Sequence, residues 1–216
     1  MHLRFLSEAG HLTPERSNAD YQRVLLRLVE GGLSHGEMLR VALAQAAGVD
    51  NTDMLGFLLA EGADLRADGA CALEAAATNM AVAALGWLLD HGVPVNSGDC
   101  AALVAGVASL DETTIETLLA TSADLHACDA LAVRAALTSR PYALDSCESD
   151  LIDLRADMLA LLLRHGARLD HAALTAAVED AANATQAIEE AAGREGLSPN
   201  DAELLRGLVG QASPAD

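Results

Sequence analysis

The side chains of this chain that could do chemistry are its 7 histidines, 4 cysteines and 32 carboxylates. All 13 basic residues are arginine, and the absence of lysine excludes a P-loop, in which a lysine reaches the phosphates. The His-Glu-x-x-His motif of zinc hydrolases is also absent. In a chain this acidic, neighbouring His and acid residues arise by chance. We therefore predict that the protein is not an enzyme, with no catalytic residues and no cofactor.

Cys100, His126 and Cys128 are the best candidates for metal ligands. A structural zinc site uses four Cys or His ligands, and two of them commonly form a closely spaced pair such as Cys-x-x-Cys. The spacing here gives no such pair, and no second pair completes a tetrahedral set. We therefore predict no metal site, and expect the cysteines to be small, partly buried free thiols in a reducing cytoplasm.

The formal net charge of −19 restricts the classes of partner. Direct binding of nucleic acid needs Lys and Arg to displace phosphate counterions, and only 2% of residues are aromatic side chains that could stack on bases. We therefore predict no direct nucleic-acid binding. A basic protein partner is compatible with this charge, because opposite potentials speed encounter and select partners. The alternative is that the charge serves solubility alone.

Several landmarks return every 30 residues along the chain. Leucine pairs stand at 58–59, 88–89 and 118–119. Apolar residues that open Ala-rich stretches keep the same spacing: Leu43, Leu73, Leu103 and Val133. A fixed period of this length indicates an array of one supersecondary unit stacked on its neighbours.

The clearest copy of the unit spans 62–91. Its pattern predicts a turn at 62–65, a short loop at 66–69, a first helix at 70–78 and a second helix at 81–90. Leu88 and Leu89 of the second helix are both expected to face inward.

These landmarks resemble those of the ankyrin repeat. LLAEGADL at 58–65, LLDHGVPVN at 88–96, LLATSADL at 118–125 and LLLRHGARLD at 161–170 look like the end of the second ankyrin helix and its turn. ALEAAATN at 72–79 looks like the first helix. The repeats are shorter than the family's, which are about 33 residues long, and the Thr-Pro-Leu-His tetrapeptide is absent. The resemblance implies an all-α, ankyrin-type helical repeat solenoid with trimmed fingers and helical N- and C-terminal caps.

The 30-residue spacing divides the chain into three predicted parts. Residues 1–31 form an N-terminal capping helix, 32–182 form about five repeats, and 183–216 form a C-terminal helical cap and tail. The period breaks once, because an acid-rich insertion lies at 139–155. Insertions in such arrays map to loops on one face, so this segment is either a functional loop or a neutral one.

The resemblance also implies where a partner binds. In the ankyrin family, contacts concentrate on the concave face formed by loop tips and first helices. The equivalent positions here are mainly acidic and are the predicted partner-binding residues: Asp64, Arg66, Asp68, Asn96, Asp99, Asp124, His126, Asp129, Asp170 and His171. The alternative is a solvated acidic strip that binds nothing.

The chain is therefore expected to be a non-catalytic interaction module that binds a basic protein, as an inhibitor or immunity protein of a toxin or enzyme. We expect a monomer in isolation. One alternative is a secreted bacterial effector that binds host proteins, since a lysine-free chain avoids ubiquitination. Another is an acidic mimic of nucleic acid. Least favoured is an enzyme that uses the acids of the insertion: Asp145, Glu148, Asp150 and Asp153.

The composition also bears on location. The chain opens without the apolar region of a secretory signal, and no stretch approaches the ~20 apolar residues of a membrane span. We expect a cytoplasmic protein without membrane contact. The alternative is export into a target cell without a cleavable signal peptide.

Overall fold

The structure is a computed structural model that describes residues 34–120, 128–139, 148–169, 174–175, 177 and 183–212. Ten α-helices and no strand occur in these ranges, which confirms the all-α prediction. The expected capping helix at 1–31 lies outside the described residues. No helix in the described part of the chain is long and apolar enough to cross a membrane.

The chain divides into two compact units, Met1–Ala105 with Glu116–Ala123, and Gly106–Ile115 with Asp124–Asp216. The first unit contains four complete described helices: α1 His35–Gly48, α2 Thr52–Ala60, α3 Leu65–Thr78 and α4 Val82–Asp90. In this unit α1 packs on α2 and α3, and α4 packs on α2 and α3. Helices α5 Ser97–Ser109 and α6 Glu112–Ala120 follow, and each contributes residues to both units.

The 30-residue spacing of the sequence recurs in the backbone. Helices α2, α4 and α6 begin at 52, 82 and 112, and each ends eight residues later. A residue with left-handed backbone precedes each of them at the same spacing, with φ of 58°, 57° and 56°: Asp50, Met80 and Leu110. The apolar residues at 43, 73, 103 and 133 are all fully buried. The same period therefore sets helix bounds, turn conformation and burial.

Only the first leucine of each pair is fully buried. Leu58, Leu88 and Leu118 have no exposed surface, whereas Leu59 is 36% exposed and Leu89 is partly exposed. Successive residues of a helix point about 100° apart, so both members of a pair cannot face the same neighbour. The prediction that Leu88 and Leu89 both face inward is therefore wrong for Leu89.

Helix α3 begins earlier than the pattern predicts. The expected loop at 66–69 is the first turn of the helix, because α3 starts at Leu65. Asp64 is its N-cap, and its Oδ1 accepts hydrogen bonds from the backbone N–H groups of Arg66 (2.9 Å) and Ala67 (3.4 Å). A side-chain cap of this kind satisfies N–H groups that a helix start leaves without partners. The chain passes directly from α2 into α3 without a hairpin finger.

The second unit contains four described helices: α7 Asp129–Thr138, α8 Glu148–Arg164, α9 Ala184–Ala191 and α10 Pro199–Ala212. Helix α8 packs on α7 and α9, and α9 packs on α10. Apolar side chains from all four helices form a core, including Leu137, Leu159, Ile188 and Leu205. The Ser-Pro-Asn-Asp sequence at 198–201 predicts a helix start, and the last helix begins there, at Pro199.

Two expectations for the second unit need correction. The insertion at 139–155 is not entirely a loop, because α8 begins at Glu148 and occupies its second half. The Ala-rich sequence at 171–192 predicts a long helical stretch, but Asn183 has a left-handed backbone (φ 72°) directly before α9. A left-handed residue ends helical hydrogen bonding locally, so α9 is a separate short helix.

Candidate partner-binding surface

Three predicted contact residues lie together at the start of α3. Asp64 and Arg66 are exposed, and Asp68 is partly buried. The two backbone hydrogen bonds to the carboxylate of Asp64 both use Oδ1, which leaves Oδ2 without a bond among the described residues. The N-terminal turn of α3 therefore presents two carboxylates and one guanidinium.

Two further predicted residues lie in the turn at 96–99, around the start of α5. Asn96 is partly buried and Asp99 is exposed. A Cβ placed on Gly98 would lie 3.4 Å from the Cβ of Ala70 in α3, so this turn packs against the first helix of the preceding pair. The structure thus brings the start of α3 and the 96–99 turn together within the first unit.

The other five predicted residues are not tested by the structure. Asp124, His126, Asp170 and His171 lie outside the described residues. Asp129 opens α7 in the second unit, and its side chain is likewise outside the description. For these five positions the sequence-based expectation stays a prediction.

Five exposed carboxylates of the first unit form no ion pair with a described residue: Asp53, Glu61, Glu74, Asp90 and Glu116. The arginines among the unit's described residues are Arg40 and Arg66, both exposed. The described surface of the first unit is therefore strongly negative and uncompensated.

In the second unit, by contrast, Arg194 forms ion pairs with two of the acids. Its Nη2 donates to Asp153 Oδ1 at 2.8 Å, and its Nε lies 2.7 Å from Asp157 Oδ1, within ion-pair distance but outside hydrogen-bond geometry. The hydrogen bond to Asp153 raises the pKa of the Arg194 guanidinium, against partial desolvation. Asp153 belongs to the insertion, so one of its acids has a structural role.

Arg155 closes the insertion at its other end. Its side chain is only 5% exposed, and its Nε and Nη2 donate to the backbone oxygen of Ser139 at 3.1 and 2.9 Å. Ser139 is the C-cap of α7, where a helix leaves carbonyl groups without helical partners and carries partial negative charge. The two ends of the insertion at 139–155 are therefore joined by a buried guanidinium.

The cysteines do not follow the expectation of free thiols. Cys71 is free and exposed, but Cys100 and Cys128 are both disulfide-bonded and almost fully buried. Cys147 lies outside the described residues. No group of three or more His, Cys, Asp or Glu side chains that could hold a metal ion occurs in the described part of the chain.

Trp87 and His91 form a stacked pair on α4. Their ring centroids are 3.7 Å apart with planes at 19°, and His91 Nδ1 lies 2.7 Å from the backbone oxygen of Trp87. Position 91 is the C-cap of α4, so the imidazole also meets the carbonyl-rich end of the helix. This contact gives His91 a structural role at the end of α4.

One motif was missed in the sequence: residues 32–36 read Gly-Leu-Ser-His-Gly, the Gly-x-Ser-x-Gly spacing of a hydrolase nucleophile. In the structure Ser34 is the N-cap of α1, with ordinary extended backbone. Its Oγ accepts from the Glu37 backbone N–H (3.3 Å) and donates to Glu37 Oε2 (2.6 Å). The described geometry is a capping box, a helix-start device that the serine-to-glutamate spacing could have indicated.

No family model, curated protein or solved structure matches the chain. The resemblance to the ankyrin repeat therefore rests on the residues quoted above.

Proposed function

We propose that this chain is an ankyrin-type helical repeat protein that binds a basic protein through the acidic surface of its first unit and catalyses no reaction. Three features support the repeat architecture: helix bounds, left-handed turn residues and fully buried leucines all recur at 30 residues. Stacked repeats of this kind present an extended surface rather than an enclosed pocket.

The observation that carries the binding proposal is the uncompensated charge of the first unit. Asp64, Asp68 and Asp99 stand at its helix starts, and exposed acids elsewhere in the unit have no described cation. A protein that needed these charges only within its own fold would pair them, as the second unit pairs Asp153 with Arg194. Guanidinium or ammonium groups of a partner would pair instead with the three acids at the helix starts, Asp64, Asp68 and Asp99.

Arg66 would make the acidic surface selective among basic partners. A purely acidic strip attracts any polycation, but a guanidinium two residues from Asp64 repels a partner that is uniformly basic. A matching partner has a carboxylate or a carbonyl opposite Arg66 and basic groups around it. An active site of a toxin or enzyme that binds a polyanion has such a basic character, which favours an inhibitor or immunity protein.

A second candidate, an exported effector that binds host proteins, is favoured by a different observation. Cys100 and Cys128 are disulfide-bonded, and disulfides persist outside the reducing cytoplasm. The absence of lysine fits the same candidate. Both candidates share the acidic binding surface and differ in where the partner is found.

The test is capture on the immobilised protein from two lysates, one of the source organism and one of a eukaryotic host cell, with elution by a salt gradient. The inhibitor proposal predicts one basic protein from the first lysate, released by moderate salt because exposed ion pairs are screened. Capture only from the host lysate would replace it with the effector proposal. Capture of acidic or neutral proteins that salt does not release would contradict both.

A further inference from the structure

Gly69 of α3 lies unusually close to the turn that follows α4. A Cβ placed on this buried glycine would lie 2.8 Å from Cγ2 and 3.1 Å from Cγ1 of Val93, whose side chain is 3% exposed. Carbon atoms that are not bonded prefer separations of about 3.5–4.0 Å. Rotation of the valine about its Cα–Cβ bond leaves at least one of the two methyl positions occupied. An alanine at position 69 therefore forces α3 and this turn apart.

The backbone beyond this contact is held by hydrogen bonds. The N–H groups of Gly92 and Val93 donate to carbonyl groups at the end of α4 at 2.9 and 3.1 Å, which is a Schellman motif. Ser97 closes the following turn, because its Oγ and its N–H donate to the backbone oxygen of Pro94 at 2.6 and 3.1 Å. A displacement of Val93 is therefore carried into the turn at 96–99.

The preceding helix pair has the opposite order of sizes. Thirty residues earlier the equivalent positions hold Leu39 and Ala63, both buried, so the large residue is on the helix and the small one is in the turn. The Ala63 N–H also donates to the end of its own preceding helix, at 2.9 Å. Glycine is a poor helix former, and the repeat does not require it at position 69. The room that it leaves is filled by Val93.

We infer that Gly69 is a positioning residue of the acidic surface, because it lets Val93 lie against α3 and so sets the separation between the carboxylates of Asp64 and Asp68 and that of Asp99. The inference rests on the proposed function and names the residue that gives its surface a fixed geometry. Gly69 is buried and uncharged, so its substitution changes the spacing of these carboxylates and leaves their number unchanged.

Thermal unfolding tests the contact without any partner. Gly69→Ala should lower the thermal midpoint by about 2–8 °C, because it forces extra volume into a closed contact. With Val93→Ala also present, the nearest remaining atom is the Cβ of residue 93 at 3.5 Å. Gly69→Ala should then raise the midpoint by about 1–4 °C, because alanine is the better helix former.

Gly86→Ala is the matched control, since Gly86 lies within α4 and nothing lies within 4 Å of a Cβ placed there. This substitution should raise the thermal midpoint whether residue 93 is valine or alanine. A rise for Gly69→Ala in the otherwise unaltered protein would overturn the inference.

A peptide probe tests the positioning of the carboxylates. Capped Arg-Arg-Glu-Arg-Arg carries four guanidinium groups around one carboxylate, which complements the acids around Arg66. In NMR titration at low salt it should shift the amide signals of Asp64, Asp68 and Asp99. Gly69→Ala should weaken its binding by about threefold or more, and adding Val93→Ala should restore the dissociation constant to within about twofold. Gly86→Ala should leave it unchanged.

The outcomes separate the inference from the proposed function. Equal affinity of the unaltered protein and all three variants would overturn the positioning role of Gly69, since the four proteins carry the same charge. A peptide that shifts no amide signal at 64–68 or 96–99 would contradict the proposed binding surface, and with it the role of Gly69 there. The thermal comparison would still decide whether Val93 packs against Gly69.

Discussion

At the scale of single residues, Asp50 shows how one side chain connects two helix pairs. The N-cap of α4 is Ala81, which has no side-chain acceptor. Asp50, 34 residues before Ala84, places Oδ1 2.7 Å from the Ala84 backbone nitrogen and accepts its hydrogen bond. Helix α4 is therefore capped by the turn of the preceding pair, and Asp50 is itself held left-handed (φ 58°).

Removal of this cap should destabilise the first unit. Asp50→Ala loses the acceptor and puts an alanine in a left-handed turn, so the free energy of unfolding should fall by about 2 kcal/mol. Asp50→Asn keeps an acceptor oxygen and a residue that tolerates this turn, so it should lose clearly less. Urea unfolding measures both. Equal losses for the two variants would show that the long-range hydrogen bond contributes nothing.

At the scale of elements, substitutions in the leucine pair of α4 test which face of this helix is buried. Leu88 has no exposed surface, and Leu89 is partly exposed. Leu88→Ala should lower the free energy of unfolding by about 2–5 kcal/mol, because the substitution leaves a cavity in the core. Leu89→Ala is the matched control on the next residue and should cost much less. A larger loss for Leu89→Ala in urea unfolding would refute the assigned register.

The insertion is a second element whose structure can be tested. Arg155→Met keeps most of the aliphatic volume but removes both donors to the Ser139 carbonyl. The free energy of unfolding should fall by about 1–3 kcal/mol, because a partly buried acceptor loses a charged donor. Arg168→Met removes an exposed arginine just after the same helix and should change stability by less than about 0.5 kcal/mol. Similar effects of the two substitutions would contradict a closing role for Arg155.

At the scale of the whole molecule, sequence periodicity predicted the features that depend on local repetition. Burial at Leu43, Leu73 and Leu103 follows from a helical pattern repeated at 30 residues. The hydrogen bond from Ala84 to Asp50 and the pairing of Arg194 with Asp153 join residues 34 and 41 apart. Such contacts depend on how helices pack, which a single sequence does not encode in its spacing.

The candidate partner-binding surface also has features that the sequence predicted and features that it did not. Asp64 and Asp68 were expected in a turn and a loop, and they lie instead at the N-cap and in the first turn of α3. The left-handed backbone at 98–100 and the disulfide bonding of Cys100 were not predicted from the sequence. The internal pairing of Asp153 also removes part of the charge that made the insertion a candidate site.

Two variants of equal charge distinguish a defined acidic binding surface on the first unit from attraction by net charge alone. One variant carries Asp64→Asn, Asp68→Asn and Asp99→Asn, which keep side-chain shape and the oxygen that caps α3. The control carries Asp53→Asn, Glu61→Gln and Asp90→Asn, at exposed positions in or beside the second helices.

Titration calorimetry with the captured basic protein compares their dissociation constants. The surface variant should weaken binding by about tenfold or more, while the control should stay within about twofold of the unaltered protein. Equal weakening by both variants would mean that only net charge attracts the partner, and would contradict a defined binding surface.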